Sequence, residues 1–319
     1  MAEPNEAARG RQASRPWDVP PLGWKDTLLR TKSEIKNDHV SLIAAGGAFF
    51  SLLALFPAVA AVVAIWGLIA DPAEIVRQLD GFTSALPQEA ADIIHSQARQ
   101  AAEDGSGALL TAILAIALGI WSASKGMNAV IEGVNIAYDE EDDRGFIKKT
   151  LLRLVLTIGA IIGVVLAIGL VVVLPAVLKA VGLSGAVEFL IGVLKWAVLL
   201  AGAALAFAVL YRYAAARDEP RWAWVTPGAI VGVVLWLIGS IAFSVYVSNF
   251  ASYNETYGTI GGAVILLMWL YLTCFVVLLG AEINAEVERQ TKKDTTEGSR
   301  QPLGRRGAHA ANTVGEARS

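Results

Sequence analysis

Cysteine is nearly absent from this sequence: Cys274 is the only one in 319 residues, and it sits inside an apolar run. An intrachain disulfide is therefore excluded, as is any paired-thiol redox or zinc pattern. Histidine is almost as scarce, with His39, His95 and His309 scattered along the chain. Metal-dependent hydrolysis of RNA needs histidines and carboxylates gathered around one or two ions. No such spacing occurs, so a ribonuclease is not expected and no metal or other cofactor is implied. Charge is sparse as well, at 17% of residues and a net charge of -3. The basic residues are spread through short segments instead of forming one stripe, which argues against nucleic acid as a partner. A Walker motif is missing, so this chain carries no ATP-driven motor of its own. The first 40 residues lack the apolar core of a signal peptide, and the first span is expected to direct insertion itself.

What the chain has in excess is apolar length. Hydrophobic residues make up 55% of it and the mean hydropathy is +0.53, which points to lipid as the solvent. A bilayer core of ~30 Å takes ~20 apolar residues in a helix. Six such stretches occur, at about 41–70, 108–131, 151–178, 187–211, 225–250 and 260–281. The expected fold is an all-α polytopic membrane helix bundle of about six transmembrane helices. Residues 1–22, with four prolines and little apolar surface, read as a disordered arm, and 289–319 as a disordered tail; the transmembrane domain is 23–288. An amphipathic helix lying at the headgroup level is expected from Gly23 to Val40, with Trp24, Leu28, Leu29 and Ile35 set against Lys25, Arg30, Lys32 and Lys36. In the long connection 71–107, Asp71-Pro72 and Pro87 mark the starts of two short outer helices.

Orientation follows from Lys and Arg in the flanking segments. The first 40 residues carry 7 basic residues, 136–153 carry 4, 211–224 carry 3 and the tail after 281 carries 7, whereas 71–107 hold only Arg77 and Arg99 against seven acids. Both termini are expected on the cytoplasmic side of a bacterial inner membrane. Small residues four apart (Gly159 and Gly163, Gly228 and Gly232, Gly258 and Gly262) are expected to let helices approach closely.

Three blocks of residues carry a resemblance. The first is Ala44-Ala45-Gly46-Gly47-Ala48-Phe49-Phe50 with Leu55-Phe56-Pro57. The second is Trp121-Ser122-Ala123-Ser124-Lys125-Gly126, leading to Asn135-Ile136-Ala137-Tyr138. The third is Tyr253-Asn254-Glu255-Thr256-Tyr257-Gly258, followed by Trp269-Leu270-Tyr271 and Gly280-Ala281-Glu282-Ile283-Asn284-Ala285. In this order they resemble the YihY/BrkB inner-membrane proteins, some of which bear the label ribonuclease BN, over about residues 23–288. The resemblance implies a six-span bacterial membrane protein, with a virulence role attached to some relatives and a transport role to the family. It supplies no catalytic residues to carry over.

Ionisable groups inside a span cost ~2.5 to 3.5 kcal/mol on insertion scales, so they face protein or water and find partners. Trp121, Ser122, Lys125, Asn128, Glu132 and Asn135 fall within one arc of the second span. Lys125, Asn128, Glu132 and Asn135, together with Glu282 of the sixth span, form a candidate inner polar cluster, with Lys125 expected to pair with Glu282 or Glu132. A candidate outer cluster is Asn249, Tyr253, Asn254 and Tyr257, between the last two spans. Ser240, Ser244 and Ser248 form a weakly polar track in the fifth span, and Glu188 and Lys195 share a face of the fourth.

Two functions compete: a transporter or permease of a small solute or ion, and a non-transporting envelope protein that organises partners or lipids. The expected partners are the lipid bilayer, that solute or ion, and a second copy of the chain in a homo-oligomer. The topology predicts that cysteines introduced at Ser96 and Ser252 react with a membrane-impermeant thiol reagent from outside, whereas one at Ser299 does not. Labelling at Ser299 alone in intact cells would invert the assignment.

Overall fold

The structure, a computed structural model, describes residues 4–67, 108–174, 178, 185–249 and 259–318. Among these the chain is all-α: α1 (Pro4–Ala8), α2 (Pro21–Asn37), α3 (Val40–Gly67), α4 (Ala108–Ala137), α5 (Phe146–Ile168), α6 (Gly185–Tyr213), α7 (Trp222–Asn249), α8 (Thr259–Glu288) and α9 (His309–Asn312). A π-helical turn at Gly169–Val173 continues α5. The helices α3 to α8 are 23 to 30 residues long, and at a rise of about 1.5 Å per residue each exceeds the hydrocarbon thickness of ~30 Å. Phe146–Val171, Phe189–Tyr213, Trp222–Val247 and Gly261–Glu288 are apolar and long enough to cross a membrane, and Val40–Ala54 is a shorter apolar stretch. Large apolar side chains such as Leu151, Ile162, Phe189, Leu194 and Ile238 lie exposed along them, a surface that lipid solvates and water does not. The outer helices expected within 71–107 fall outside the described residues.

Local chemistry sets the ends of these helices. Pro21 opens α2, where its missing N–H is no loss. His39 closes it in the left-handed region at φ 50, so the chain turns into α3 at Val40 after two residues. At the end of α4, Asp139 takes φ 54. Its N–H bonds the Ile136 carbonyl at 2.9 Å, and the Glu140 N–H bonds the Asn135 carbonyl at 2.9 Å. Those two bonds are the paired closure of a Schellman motif.

The arm 1–22 and the tail 289–319 were expected to be disordered; their described residues, 4–22 and 289–318, are packed on one another. The Arg11 guanidinium donates to the carbonyls of Gly315 (2.5 Å) and Gln290 (3.3 Å). Thr291 Oγ1 donates to the Ala13 carbonyl at 2.7 Å and Gln290 Nε2 to that of Arg9 at 2.7 Å. Arg306 in turn holds the carbonyls of Lys292 (2.8 Å) and Ala311 (2.5 Å). Side-chain bonds to backbone carbonyls run through this region beside small buried apolar residues such as Ala13, Val19 and Ala310, and low hydropathy does not register such bonds.

The chain divides into two compact units, 1–43 with 130–237 and 275–319, and 44–129 with 238–274. In the second, Gly126 packs against Ser51 and Gly239 against Leu272, and Trp269 Nε1 donates to Ser240 Oγ at 3.3 Å, which spends part of the serine track on a helix–helix bond. In the first, α7 and α8 meet through glycines: a Cβ on Gly228 would strike the Gly280 carbonyl, and one on Gly280 would strike the Tyr211 hydroxyl. Pro227, inside α7, removes a backbone donor there. Asn284 of α8 serves the turn around it, accepting from the Gly228 N–H at 2.7 Å and donating to the Val225 carbonyl at 3.0 Å. By contrast, a Cβ on Gly159 or Gly163 meets nothing within 4 Å, so that pair supports no contact among the described residues, and Gly258 lies outside them.

Gly280→Ala is predicted to destabilise the solubilised protein by about 1–3 kcal/mol through overpacking. Asn284→Ala should cost a similar ~1–3 kcal/mol by stranding a buried donor and acceptor. Gly159→Ala, with open space around it, should not lower the melting midpoint. Thermal unfolding in detergent followed by tryptophan fluorescence checks the three.

Candidate functional site

The last turns of α8 read Gly280-Ala281-Glu282-Ile283-Asn284-Ala285-Glu286-Val287-Glu288, and their polar groups divide between two faces by steps of four. Glu282, Glu286 and Gln290 share one face; Asn284 and Glu288 share another. All five are buried. Between the two faces Ile283 and Val287 pack on Trp224, with Trp24 of α2 against the same cluster.

On the first face the buried guanidinium of Arg30, from α2, joins three segments. Its Nε donates to the Glu286 carboxylate, its Nη2 to the Glu286 carbonyl (2.9 Å) and Gln290 Oε1 (2.8 Å), and its Nη1 to the Glu316 carbonyl (2.9 Å). Gly315 is required beside it, since a Cβ there would come within 2.5 Å of the guanidinium carbon. Asp26, one turn earlier on α2, takes Arg9 at 2.6 Å. Burial works against the Asp26 charge, but the Arg9 bond and the Arg318 N–H hold its carboxyl below the usual range.

Glu282 differs from its neighbours. It is 1% exposed, its side chain shares a hydrogen bond with the Asp38 carboxyl, and its Oε1 has no hydrogen-bond partner among the described residues. Two carboxyls therefore face each other where α2 hands over to α3. Burial pushes Asp38 up to about 6, opposed by the Glu282 hydrogen bond and reinforced by the charges of Glu34, Asp139 and Glu286. Asp38 therefore holds a proton more readily than a lone surface carboxylate does.

On the second face Glu288 accepts from Arg217 Nη2 at 2.6 Å and from Thr295 Oγ1 at 2.5 Å. The Arg217 guanidinium lies 4.7 Å from the centre of the Tyr138 ring. Burial lowers the Arg217 charge preference, yet Glu288 outweighs it and the group stays firmly protonated. Asn135 ties the end of α4 into the same region, accepting from the Ala216 N–H at 2.7 Å. Arg144 does likewise, bound to Asp142 and to the Ala214 carbonyl (2.7 Å). A polar cavity of about 350 Å³ opens beside these segments, lined by Asp143, Arg144, Arg212, Arg217, Asp218 and Glu219 among others. Its three arginines are each engaged by a carboxylate, so the lining is balanced and not anion-selective.

The residues of the expected inner cluster divide between the two compact units, Lys125 and Asn128 in one and Glu132, Asn135 and Glu282 in the other. Asn135 and Glu282 are buried, whereas Asn128 and Glu132 are exposed. Lys125 is half-buried with its amine 5.4 Å from the Trp121 ring centre, an aromatic face supplied by its own helix. Lys195 does the same over Trp196 at 5.4 Å. Of the expected outer cluster, Asn249 ends α7, and Tyr253, Asn254 and Tyr257 lie outside the described residues. The residues that sequence reasoning passed over are Asp38, Arg30, Arg217, Asn284, Glu286 and Glu288. The four-residue spacing of Glu282 with Glu286, and of Asn284 with Glu288, in an otherwise apolar helix was the available signal.

Among the described residues no group of three or more His, Cys, Asp or Glu is arranged to hold a metal ion. The sequence profile of the family described as Virulence factor BrkB matches residues 31–303. A ribonuclease-like protein, YfkH, of Bacillus subtilis is 32% identical over 249 residues, spanning 77% of this chain and 89% of that protein. A UPF0761 membrane protein of Alteromonas mediterranea is 29% identical over 257 residues, 79% of this chain and 84% of its own length. Another, from Verminephrobacter eiseniae, is 25% identical and covered over 63% of its length. No solved structure matches. With apolar helices long enough to span a bilayer and a profile match over most of its length, the chain is an integral membrane protein of the BrkB family.

Proposed function

We propose that this protein is a transporter or permease for a small solute or ion, seated in the bacterial inner membrane with both termini in the cytoplasm. The reading rests on Glu282: a carboxyl 1% exposed near the end of a helix fit to span the bilayer, with one oxygen unpartnered among the described residues. An ionisable group so placed is costly, and in membrane proteins it marks an ion or substrate path. Asp38 beside it gives the site a second protonatable group, so a proton is the natural coupling ion. No enzymatic role is proposed. The competing reading, a protein that organises partners or lipids, draws support from the exposed positions of Asn128 and Glu132 on α4.

Purified protein in proteoliposomes, screened for solute and ion flux with and without a proton gradient, separates the two. Flux that responds to the gradient is expected, and Glu282→Gln should lower it about tenfold, ~1.4 kcal/mol of barrier, without loss of folded protein. Flux indifferent to both the gradient and Glu282→Gln would leave the organising role.

The Asp38 shift carries its own prediction. A carboxyl raised from 3.8 to about 6 on folding stabilises the folded state fully below its unfolded value and loses that stabilisation as pH rises through about 6. The melting midpoint should therefore climb as pH falls from 7 to about 4 relative to Asp38→Asn, whose curve should be flatter in this window.

A further inference from the structure

The amphipathic reading of α2 assigns its apolar side chains to one face and its charges to the other, and the structure departs from that plan in part: Trp24 packs inward and Lys25, Lys32 and Lys36 face outward, but Leu28 and Leu29 join the lysines and Arg30 turns inward. Gly23, Asp26, Thr27, Arg30 and Thr31, at helical spacing, form the buried face. The opposite arc carries Leu22 (49% exposed), Leu28 (57%) and Leu29 (37%), together with the exposed Lys25, Lys32 and Lys36. Trp17, 58% exposed just upstream, adds to the apolar surface. The two sets alternate along one arc, as Leu22, Lys25, Leu29, Lys32 and Lys36, in steps of three and four.

We infer that this outer arc of α2 is an interfacial surface that binds anionic lipid headgroups. The charged residues divide by kind. Arg9 and Arg30 turn inward onto Asp26 and Glu286, whereas Lys25, Lys32 and Lys36 have no ion pair with any described residue. The acids on the same helix are Asp26, turned inward onto Arg9, and Glu34, half-buried and accepting from Asn37 Nδ2 at 3.3 Å, so the outer arc keeps a surplus of positive charge. Exposed leucines alone would fit a protein partner as well as lipid. Lysines interleaved with them favour the membrane boundary, where their stems lie along acyl chains and their ammonium groups reach phosphates. Position favours it too, because only Asp38 and His39 separate α2 from the apolar stretch that begins at Val40. A helix joined so closely to a membrane-embedded one is held at headgroup depth. The mixed pattern then has one physical account: the polar inner face is satisfied inside the protein by carboxylates and carbonyls, and lipid satisfies the mixed Leu/Lys face.

The test uses the full-length chain in nanodiscs of phosphatidylcholine alone or with added phosphatidylglycerol. Leu28→Cys in a Cys274→Ser background, labelled with bimane, should be quenched by lipids brominated near the headgroup end of their chains. Phosphatidylglycerol retained through purification should fall about fivefold for each of Lys25→Gln, Lys32→Gln and Lys36→Gln, with melting midpoints unchanged in phosphatidylcholine. If one of these variants fails to fold, the other two and the quenching still decide. Unquenched label, retention indifferent to the lysines, or cross-linking of Leu28→Cys to a second copy would overturn the assignment, the last in favour of a protein interface.

Discussion

The buried carboxylates at the end of α8 impose the constraint from which the rest of the first unit follows. A charge removed from water without a partner costs several kcal/mol, and the turn from Glu282 to Glu288 places three carboxylates out of contact with solvent. Each needs a cation or a proton. Glu286 draws Arg30 and with it α2; Glu288 draws Arg217 and the α6–α7 connection. The arm and the tail are drawn in turn, because Arg30 and Arg11 have donors left over that only backbone carbonyls of those segments satisfy. Glu282 alone receives no cation among the described residues, and its neighbour is another acid. The functional reading falls on it because it is the exception to a rule its neighbours obey.

Close backbone approach is the second requirement, and it is met at one place. Gly228 and Gly280 let α7 and α8 touch, and Asn284 can reach across only at that separation. Pro227 leaves the turn short of a hydrogen bond, and the side chain that serves it comes from the neighbouring helix. Such substitution is how proline is accommodated in membrane helices. The contact and the carboxylates share a single helical segment, so the polar network is registered to the helix crossing within a residue.

The long helices were legible because a bilayer demands apolar length, and hydropathy measures that demand directly; the stretch near 260–281 falls within α8 for this reason. The polar ends were not legible in the same way. Glu282 could be singled out as an acid in an apolar run, but its partner Asp38 lies more than 240 residues away and belongs to no periodic pattern with it. Lys125 was assigned an acid because an isolated charge needs a partner, and the ring face of Trp121, one turn away, is a stabilising contact that charge pairing alone does not bring to mind. The arm and tail defeated composition altogether. Their order depends on arginine geometry, five donors in a rigid fork, reaching carbonyls of a segment some 300 residues distant, and no window of sequence contains both sides of that bond.

The contrast between arginine and lysine bears on why so polar an end persists. Buried ion pairs add little net stability, and apolar replacements of similar volume often do as well, so Arg30–Glu286 and Arg217–Glu288 are poorly explained as stabilisers. They do specify arrangement. An arginine fork accepts only acceptors placed in its plane, which fixes the rotation of α2 about its axis and thereby decides which arc of that helix is left outward. Lysine in those positions would satisfy charge without fixing rotation. The outward arc would then be undefined, and the alternation of Leu22, Lys25, Leu29, Lys32 and Lys36 would have no constant face to present. The inner polar network and the outer Leu/Lys face are thus consequences of one choice of residue at Arg30.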